Sequence, residues 1–236
     1  MKFYYLVAAY NEERVLEKTV RELAVIPQRF PGSEILLLDN GSQDNTWALC
    51  QRLAQENSWV SAYHNDEKGM GTAFKRGLRE LQNKNIPRDS WIVFCASDLP
   101  FGFSDLESFL ELGPAAWQEN ILFVGSKRHS QSQVQRNWKR RFGSVIFELA
   151  RFLILQIKTK DTQGSLFLRA DQIALLQNLN SNDYFFTVEL VYFAEKSGKV
   201  TEMPIKLRPE IRNSNISILK DGSKSLLQLL KFRQRL

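Results

Sequence analysis

The stretch Phe3-Tyr4-Tyr5-Leu6-Val7-Ala8, followed by Ala9-Tyr10-Asn11-Glu12, decides the fold. Six apolar or aromatic residues without polar alternation read as a strand buried on both faces, as in a parallel sheet sandwiched between helices. The polar turn then leads into residues 13–25, whose apolar positions recur at helical spacing. The same succession returns along the first half of the chain. Strands are predicted at 34–38, 60–63, 91–95 and 121–124, and helices at 45–55, 72–82 and 104–112. Further on, the pattern predicts a long helix at 136–157, a strand at 165–168, a helix at 186–196 and a strand at 200–205. Together these make a single α/β domain, a Rossmann-like, mainly parallel sheet flanked by helices.

Composition agrees with a folded domain. The 236 residues are 43% hydrophobic and 25% charged, enough to bury a core and unlike a disordered chain. Cys50 and Cys95 stand apart in apolar segments, outside any Cys-x-x-Cys or Cys/His cluster, which excludes a disulfide framework and a zinc site and suits reduced cytosolic thiols. The polar residues right after 2–9 argue against a secretory signal, and the run 144–157 is interrupted by Glu148 and Arg151, so no spanning helix is expected. The net charge of +6 is unevenly spread: from Lys127 to Lys160, nine Lys or Arg stand against the single acid Glu148. A basic surplus attracts nucleic acid, anionic membranes or phosphorylated substrates. Nucleic acid is the poorest fit, because the aromatics interleaved there (Trp138, Phe142, Phe147, Phe152) suit an apolar helix better than a base-stacking platform.

In parallel sheets, ligands bind beyond the carboxyl ends of the strands, and the turns there hold this chain's polar residues. No Gly-x-x-x-x-Gly-Lys-Ser/Thr is present, and Gly69-Met70-Gly71 lacks the third glycine of a dinucleotide fingerprint. Asp39-Asn40-Gly41-Ser42 reads either as a turn with Ser42 or Asp44 capping the next helix, or as a place where Asp39 accepts hydrogen bonds from a base or ribose. Lys68-Gly69-Met70-Gly71 is either a flexible turn or a loop that lets a ligand approach the backbone beside a positive charge. Asp98, after the buried strand 91–95, is either a turn residue before Pro100 or a carboxylate for Mg²⁺ or Mn²⁺, since a metal carried by a diphosphate needs only one or two protein carboxylates.

Taken in order, these turns resemble family 2 glycosyltransferases of the GT-A fold, especially the dolichol- or polyprenyl-phosphate sugar synthases, among them the dolichol-phosphate mannosyltransferases. Ala8-Ala9-Tyr10-Asn11-Glu12 is similar to the family's Pro-Ala-Tyr-Asn-Glu, and 39–46 to its Asp-Asp-Gly-Ser-x-Asp-x-Thr. Gly69, Gly71, Ala73 and Gly77 match its glycine segment, Gly125-Ser126-Lys127 its Gly-Ser-Arg, Asp161-Thr162-Gln163-Gly164 its Asp-x-x-x-Gly region, and Glu202-Met203-Pro204-Ile205 its Glu-Val-Pro-Val. The family's Asp-x-Asp is Ala96-Ser97-Asp98 here, and Asn40 replaces the second acid of its Asp-Asp pair.

The resemblance implies a GT-A domain over 1–236, with a nucleotide-sugar half at 1–126 and an acceptor half at 127–236. It implies that Ala8, Tyr10, Glu12, Asp39, Lys68, Gly69, Ser97 and Asp98 bind a GDP- or UDP-linked sugar, with Asp98 holding Mg²⁺ or Mn²⁺. Lys127, Arg140, Arg141 and Arg212 would meet donor or acceptor phosphate, and Asp161 and Glu189 would sit near the acceptor, either one serving as base for a hydroxyl acceptor. The implied acceptor is a polyprenyl or dolichyl phosphate, met by a cytoplasmic protein resting on a membrane's cytoplasmic face or held by a membrane-protein partner. The alternatives are another sugar, lipid or protein acceptor, or a non-catalytic nucleotide-sugar-binding module.

Overall fold

The computed structural model describes residues 1–134, 138–209 and 218–236, without the side chains of 138–142 and 218–223. Its centre is a seven-stranded sheet in the order β3-β2-β1-β4-β6-β5-β7. The strands are β1 (Phe3–Ala9), β2 (Glu34–Asn40), β3 (Val60–Asn65), β4 (Trp91–Ala96), β5 (Asn120–Gly125), β6 (Ser165–Arg169) and β7 (Lys199–Met203). All run parallel except β6, which lies antiparallel between β4 and β5. That reversal brings the segment entering β6, Asp161 included, to the edge where the other strands end.

The first-half strands follow from their residues: every side chain of Ile35–Leu38 is wholly buried, because helices cover both faces. Even residues of β1 and β2 enter one core with Phe74 and Leu78, and odd residues enter the other with Leu16 and Phe109. The helices are α1 (Leu16–Leu23), α2 (Val25–Arg29), α3 (Thr46–Glu56), α4 (Met70–Asn83), α5 (Ser104–Glu119), α6 (Trp138–Leu155), α7 (Phe186–Ser197) and α8 (Ile218–Arg235), with a 3₁₀ segment at Ala170–Asn178.

Several boundaries depart from the sequence pattern. The single helix expected at 13–25 is two, broken at Ala24 shortly before Pro27 of α2, where proline lacks the amide an unbroken helix would use. The helix expected to end at Leu112 resumes after Gly113, whose φ of 75° and the following Pro114 kink α5. The strand expected at 200–205 stops at Met203, ahead of Pro204.

Beneath β4, the Asp105 carboxyl is buried beside Cys95 and Tyr5, and desolvation pushes its pKa up to about 6, although the Leu106 amide donates to it at 2.8 Å. A pKa raised on folding favours the native state below the ordinary carboxyl value near 4 and loses that contribution as pH climbs through about 6. Asp105→Asn should therefore remove a stability loss between pH 4 and pH 6 and gain about 1–3 kcal/mol at pH 7. Urea melts across that range test this, and parallel pH profiles for the two proteins would refute it.

Candidate functional site

The turns at the carboxyl edge interlock through their own polar atoms. Asn11, left-handed at φ 54°, donates its amide to Ser42 Oγ at 3.0 Å and accepts from the Gln43 amide at 2.8 Å. Asp44 accepts from the Thr46 amide at 2.9 Å, and Thr46 Oγ1 accepts from the Glu12 amide at 2.7 Å. Asp44 thus satisfies the first amide of α3 from the turn before it, with Asn45 in the N-cap position.

Asp39 is the penultimate residue of β2 and is fully buried. His64, its register partner on β3, donates from Nδ1 to Asp39 Oδ2 at 2.7 Å and packs its ring 5.2 Å from that of Trp47. Asp39 Oδ1 has no hydrogen-bond partner among the described residues. A buried carboxylate oxygen without a donor is costly, and a ligand N–H or O–H could satisfy it. The His64 contact emerges from the β2–β3 register.

Lys68 and Tyr10 meet beyond the carboxyl edge of the sheet, the ammonium 3.7 Å from the ring centroid, a cation–π contact that leaves the Lys68 side chain exposed. The two glycines beside it are also required by close packing. A Cβ on Gly69 would lie 2.3 Å from the Asn182 carbonyl oxygen, and one on Gly71 2.4 Å from that of Ser181. The Gly71 amide donates to Asn182 O at 2.9 Å, and the Gly69 amide to Asn40 Oδ1 at 2.6 Å. The loop at 181–182 therefore caps the start of α4, and Asn40 supplies the acceptor that an aspartate would.

Asp98 projects from the turn after β4, exposed, with no hydrogen bond or ion pair among the described residues. Its turn is held from both sides: Thr19 Oγ1 donates to the Ser97 carbonyl, and buried Leu99 adopts a left-handed φ of 44°. That conformation costs a leucine about 1–2 kcal/mol, so core packing of Leu99 fixes where Asp98 points. Ala8 and Ala96 face each other in the β1–β4 register, keeping this part of the floor small.

Lys127 and Asp161 engage each other. Lys127 Nζ sits 3.1 Å from Asp161 Oδ2 and donates to the Gln163 carbonyl, while the Lys127 amide reaches the same carboxylate oxygen at 2.9 Å. Burial works to raise the Asp161 pKa, but the Lys127 ammonium and the Gln163 and Lys127 amides outweigh it and hold the carboxyl below the usual range. A weakly basic, fully bonded carboxylate is a poor general base, and its partner is not an open phosphate ligand. Glu189 is likewise engaged, accepting from the Asn180 and Ser181 amides, Ser181 Oγ and Arg235 at 2.7–2.9 Å. It organises the loop that caps α4 rather than presenting a free base. Arg212 lies outside the described residues, as do the side chains of Arg140 and Arg141.

One buried charge, Arg151, and one half-buried charge, Glu148, were missed because they read as interruptions of an apolar helix. Arg151 of α6 donates to the Lys160 carbonyl at 2.7 Å, and Glu148 accepts from Arg128 Nε at 3.1 Å, tying α6 to the loops around Asp161 and Lys127. Among the described residues no cluster of three or more His, Cys, Asp or Glu could hold a metal alone. A lone exposed carboxylate at Asp98 fits a divalent cation whose other ligands are diphosphate oxygens and water.

Comparison with known proteins accords with this layout. Residues 5–174 match the family described as Glycosyl transferase family 2. The chain is 26% identical over 223 residues to glycosyltransferase AglD of Haloferax volcanii, covering 92% of this chain and 34% of that protein. It is 26% identical over 206 residues to the dolichyl-phosphate beta-glucosyltransferase of Drosophila melanogaster, covering 80% of this chain and 61% of that protein. The chain thus spans about a third of the first relative's length and less than two thirds of the second's. Its fold superposes on glucosyl-3-phosphoglycerate synthase from Mycobacterium tuberculosis, solved with Mn²⁺, UDP-glucose and phosphoglyceric acid, with a TM-score of 0.67, 17% identity and coverage of 98% and 79% of the two chains.

Proposed function

The chain belongs to glycosyl transferase family 2, and from that premise we propose that it moves a sugar from a nucleoside-diphosphate donor to the phosphate of a polyprenyl lipid. The observation that carries the donor reading is the buried Asp39 with one oxygen held by His64 and the other unpartnered. A base N–H or a ribose hydroxyl satisfies that oxygen, while Tyr10 and Glu12 flank the nucleoside and exposed Lys68 meets the diphosphate. Uridine is the base to test first, because the superposable synthase binds UDP-glucose.

Asp98 takes the metal, Mn²⁺ or Mg²⁺, together with the donor's own phosphates. When bound, the cation neutralises charge developing on the departing diphosphate. The acceptor reading draws on the dolichyl-phosphate relative and on the engagement of Asp161 and Glu189. With neither carboxylate free to take a proton, an acceptor oxygen that is already anionic suits the site better than a hydroxyl. A lipid phosphate also places the protein at a membrane periphery, with residues 127–236 forming the acceptor side.

Titration calorimetry with UDP and GDP in the presence of Mn²⁺ tests the donor site. Asp39→Ala should weaken the preferred nucleotide by about 10- to 100-fold, the worth of a hydrogen bond to a charged acceptor. Equal affinity in the variant would remove Asp39 from the nucleoside pocket. Transfer is then assayed with short-chain prenyl phosphates in detergent, where nucleotide binding without turnover of any donor would favour a non-catalytic binding module.

A further inference from the structure

We propose that the outward face shared by α6 and α8 is a docking surface for an anionic lipid bilayer. It serves the proposed transfer, by bringing the cleft to a membrane-held acceptor, and it rests on that reading for its purpose. The face itself is an independent observation.

A surface helix ordinarily turns its apolar stripe to the core and its charges to water. In α6 the charges Glu148 and Arg151 are turned inward to Arg128 and the Lys160 carbonyl, with Phe147, Ala150 and Ile154 on the core cluster. Ile146, Leu149, Phe152 and Leu153 are left outside, at 52–68% exposure. Their spacing places them along one side of the helix. The neighbouring helix α8 packs on α6 and adds Leu227 and Leu230, while its Leu229 and Phe232 are buried, Phe232 against Phe185 and Tyr192. Tyr184, 67% exposed, stands at the margin, where Asp183 is bonded to Gln228 of α8. Large contiguous apolar patches on a folded surface mark a partner or a membrane.

Charge selects the bilayer. Lys224, Lys231 and Arg233 are exposed on α8, Lys139-Arg140-Arg141 open the sequence of α6, and the one acid in the α6 sequence, Glu148, is turned away to Arg128. An apolar stripe with a basic fringe lies in the interface of an anionic membrane, where the cations meet headgroups and an aromatic such as Tyr184 sits at headgroup level. No helix among the described residues is long and apolar enough to cross a membrane, so contact through these helices is in the plane of the surface. The same helices touch segments at the carboxyl edge of the sheet: α6 through Glu148 to Arg128, and α8 through Arg235 to Glu189 and the loop capping α4.

The test is flotation of the purified protein with vesicles of phosphatidylcholine alone and of phosphatidylcholine mixed with phosphatidylglycerol. The wild type should float with the anionic vesicles, less with the neutral ones, and less as salt shortens the screening length. The pairs Leu149→Ser/Leu153→Ser and Leu227→Ser/Leu230→Ser should each weaken binding by at least about tenfold, with circular dichroism and thermal midpoint unchanged, because these side chains are exposed. Failure of the wild type to float, or wild-type flotation by both double variants, overturns the proposal. So does a dimer by analytical sedimentation that the variants dissolve, since the face would then join protein chains. Vesicle binding with no transfer to any prenyl phosphate in detergent defeats the acceptor reading and leaves the docking surface standing. Transfer without vesicle binding does the reverse.

Discussion

Asp98→Asn is expected to lower the rate of sugar transfer by about 10²- to 10³-fold while leaving the thermal midpoint where it was. The size follows from the chemistry, because stabilising charge on a leaving group through a preorganised electrostatic contact is commonly worth that factor. The neutrality toward folding follows from exposure, since Asp98 makes no hydrogen bond or ion pair among the described residues. What is special here is the lack of a second acid. Ala96 stands where the family carries one, so no neighbouring carboxylate in that motif can keep the cation in place when Asp98 loses its charge. Mn²⁺-dependent binding of the nucleoside diphosphate should weaken along with the rate, a coupling measured by titrating Mn²⁺ in the presence of saturating nucleotide. Ala96→Asp should act in the opposite sense and tighten Mn²⁺ binding, since position 96 is solvent-exposed two residues before Asp98. Undiminished transfer by Asp98→Asn would place the metal, or the charge that replaces it, elsewhere.

The contrast between Asp98 and Asp39 shows what a sequence makes legible. Asp39 lies near the end of a buried strand and Asp98 just past one, and both were readable because parallel strands covered on two faces are apolar throughout and give way sharply to polar residues. The strand predicted at 91–95 differs from β4 by one residue for that reason. The His64 contact to Asp39 was not readable, because it depends on which residue of β3 stands beside residue 39, and register is a property of two strands. The reversal of β6 was equally silent: Ser165-Leu166-Phe167-Leu168 has the same pattern in either direction, and only its insertion between β4 and β5 brings Asp161 to the edge where the parallel strands end. The inverted charges of α6 were visible as letters and misleading as a pattern. Glu148 and Arg151 looked like breaks in an apolar run, when the fold turns them inward and leaves the leucines outside.

That dependence on the second half of the chain gives Asp161→Asn the largest expected effect on stability, a loss of about 3–5 kcal/mol, because it leaves the Lys127 ammonium buried without its counter-charge. Both side chains are 9% exposed, so water cannot take over the lost contact cheaply. The Asp161 carboxylate also accepts the Lys127 and Gln163 amides, and the Asp161 amide itself donates to Glu202 at 3.2 Å, so the segment entering β6 loses an organising centre. In a chain of this length the thermal midpoint should fall by roughly 10 °C. The pH dependence is fixed in sign. A carboxyl held below its ordinary pKa by folding contributes above the unfolded value near 4 and loses that contribution as acid is added through the depressed one. The wild type should therefore approach the variant's stability in strong acid and exceed it from about pH 5 upward, the reverse of the Asp105 profile. Lys127→Met tests the same pair from the other side, since removing both charges together, as Asp161→Asn/Lys127→Met, should recover part of the loss seen in Asp161→Asn alone. Additive losses in that double-mutant cycle would mean that the two side chains sit together without supporting each other.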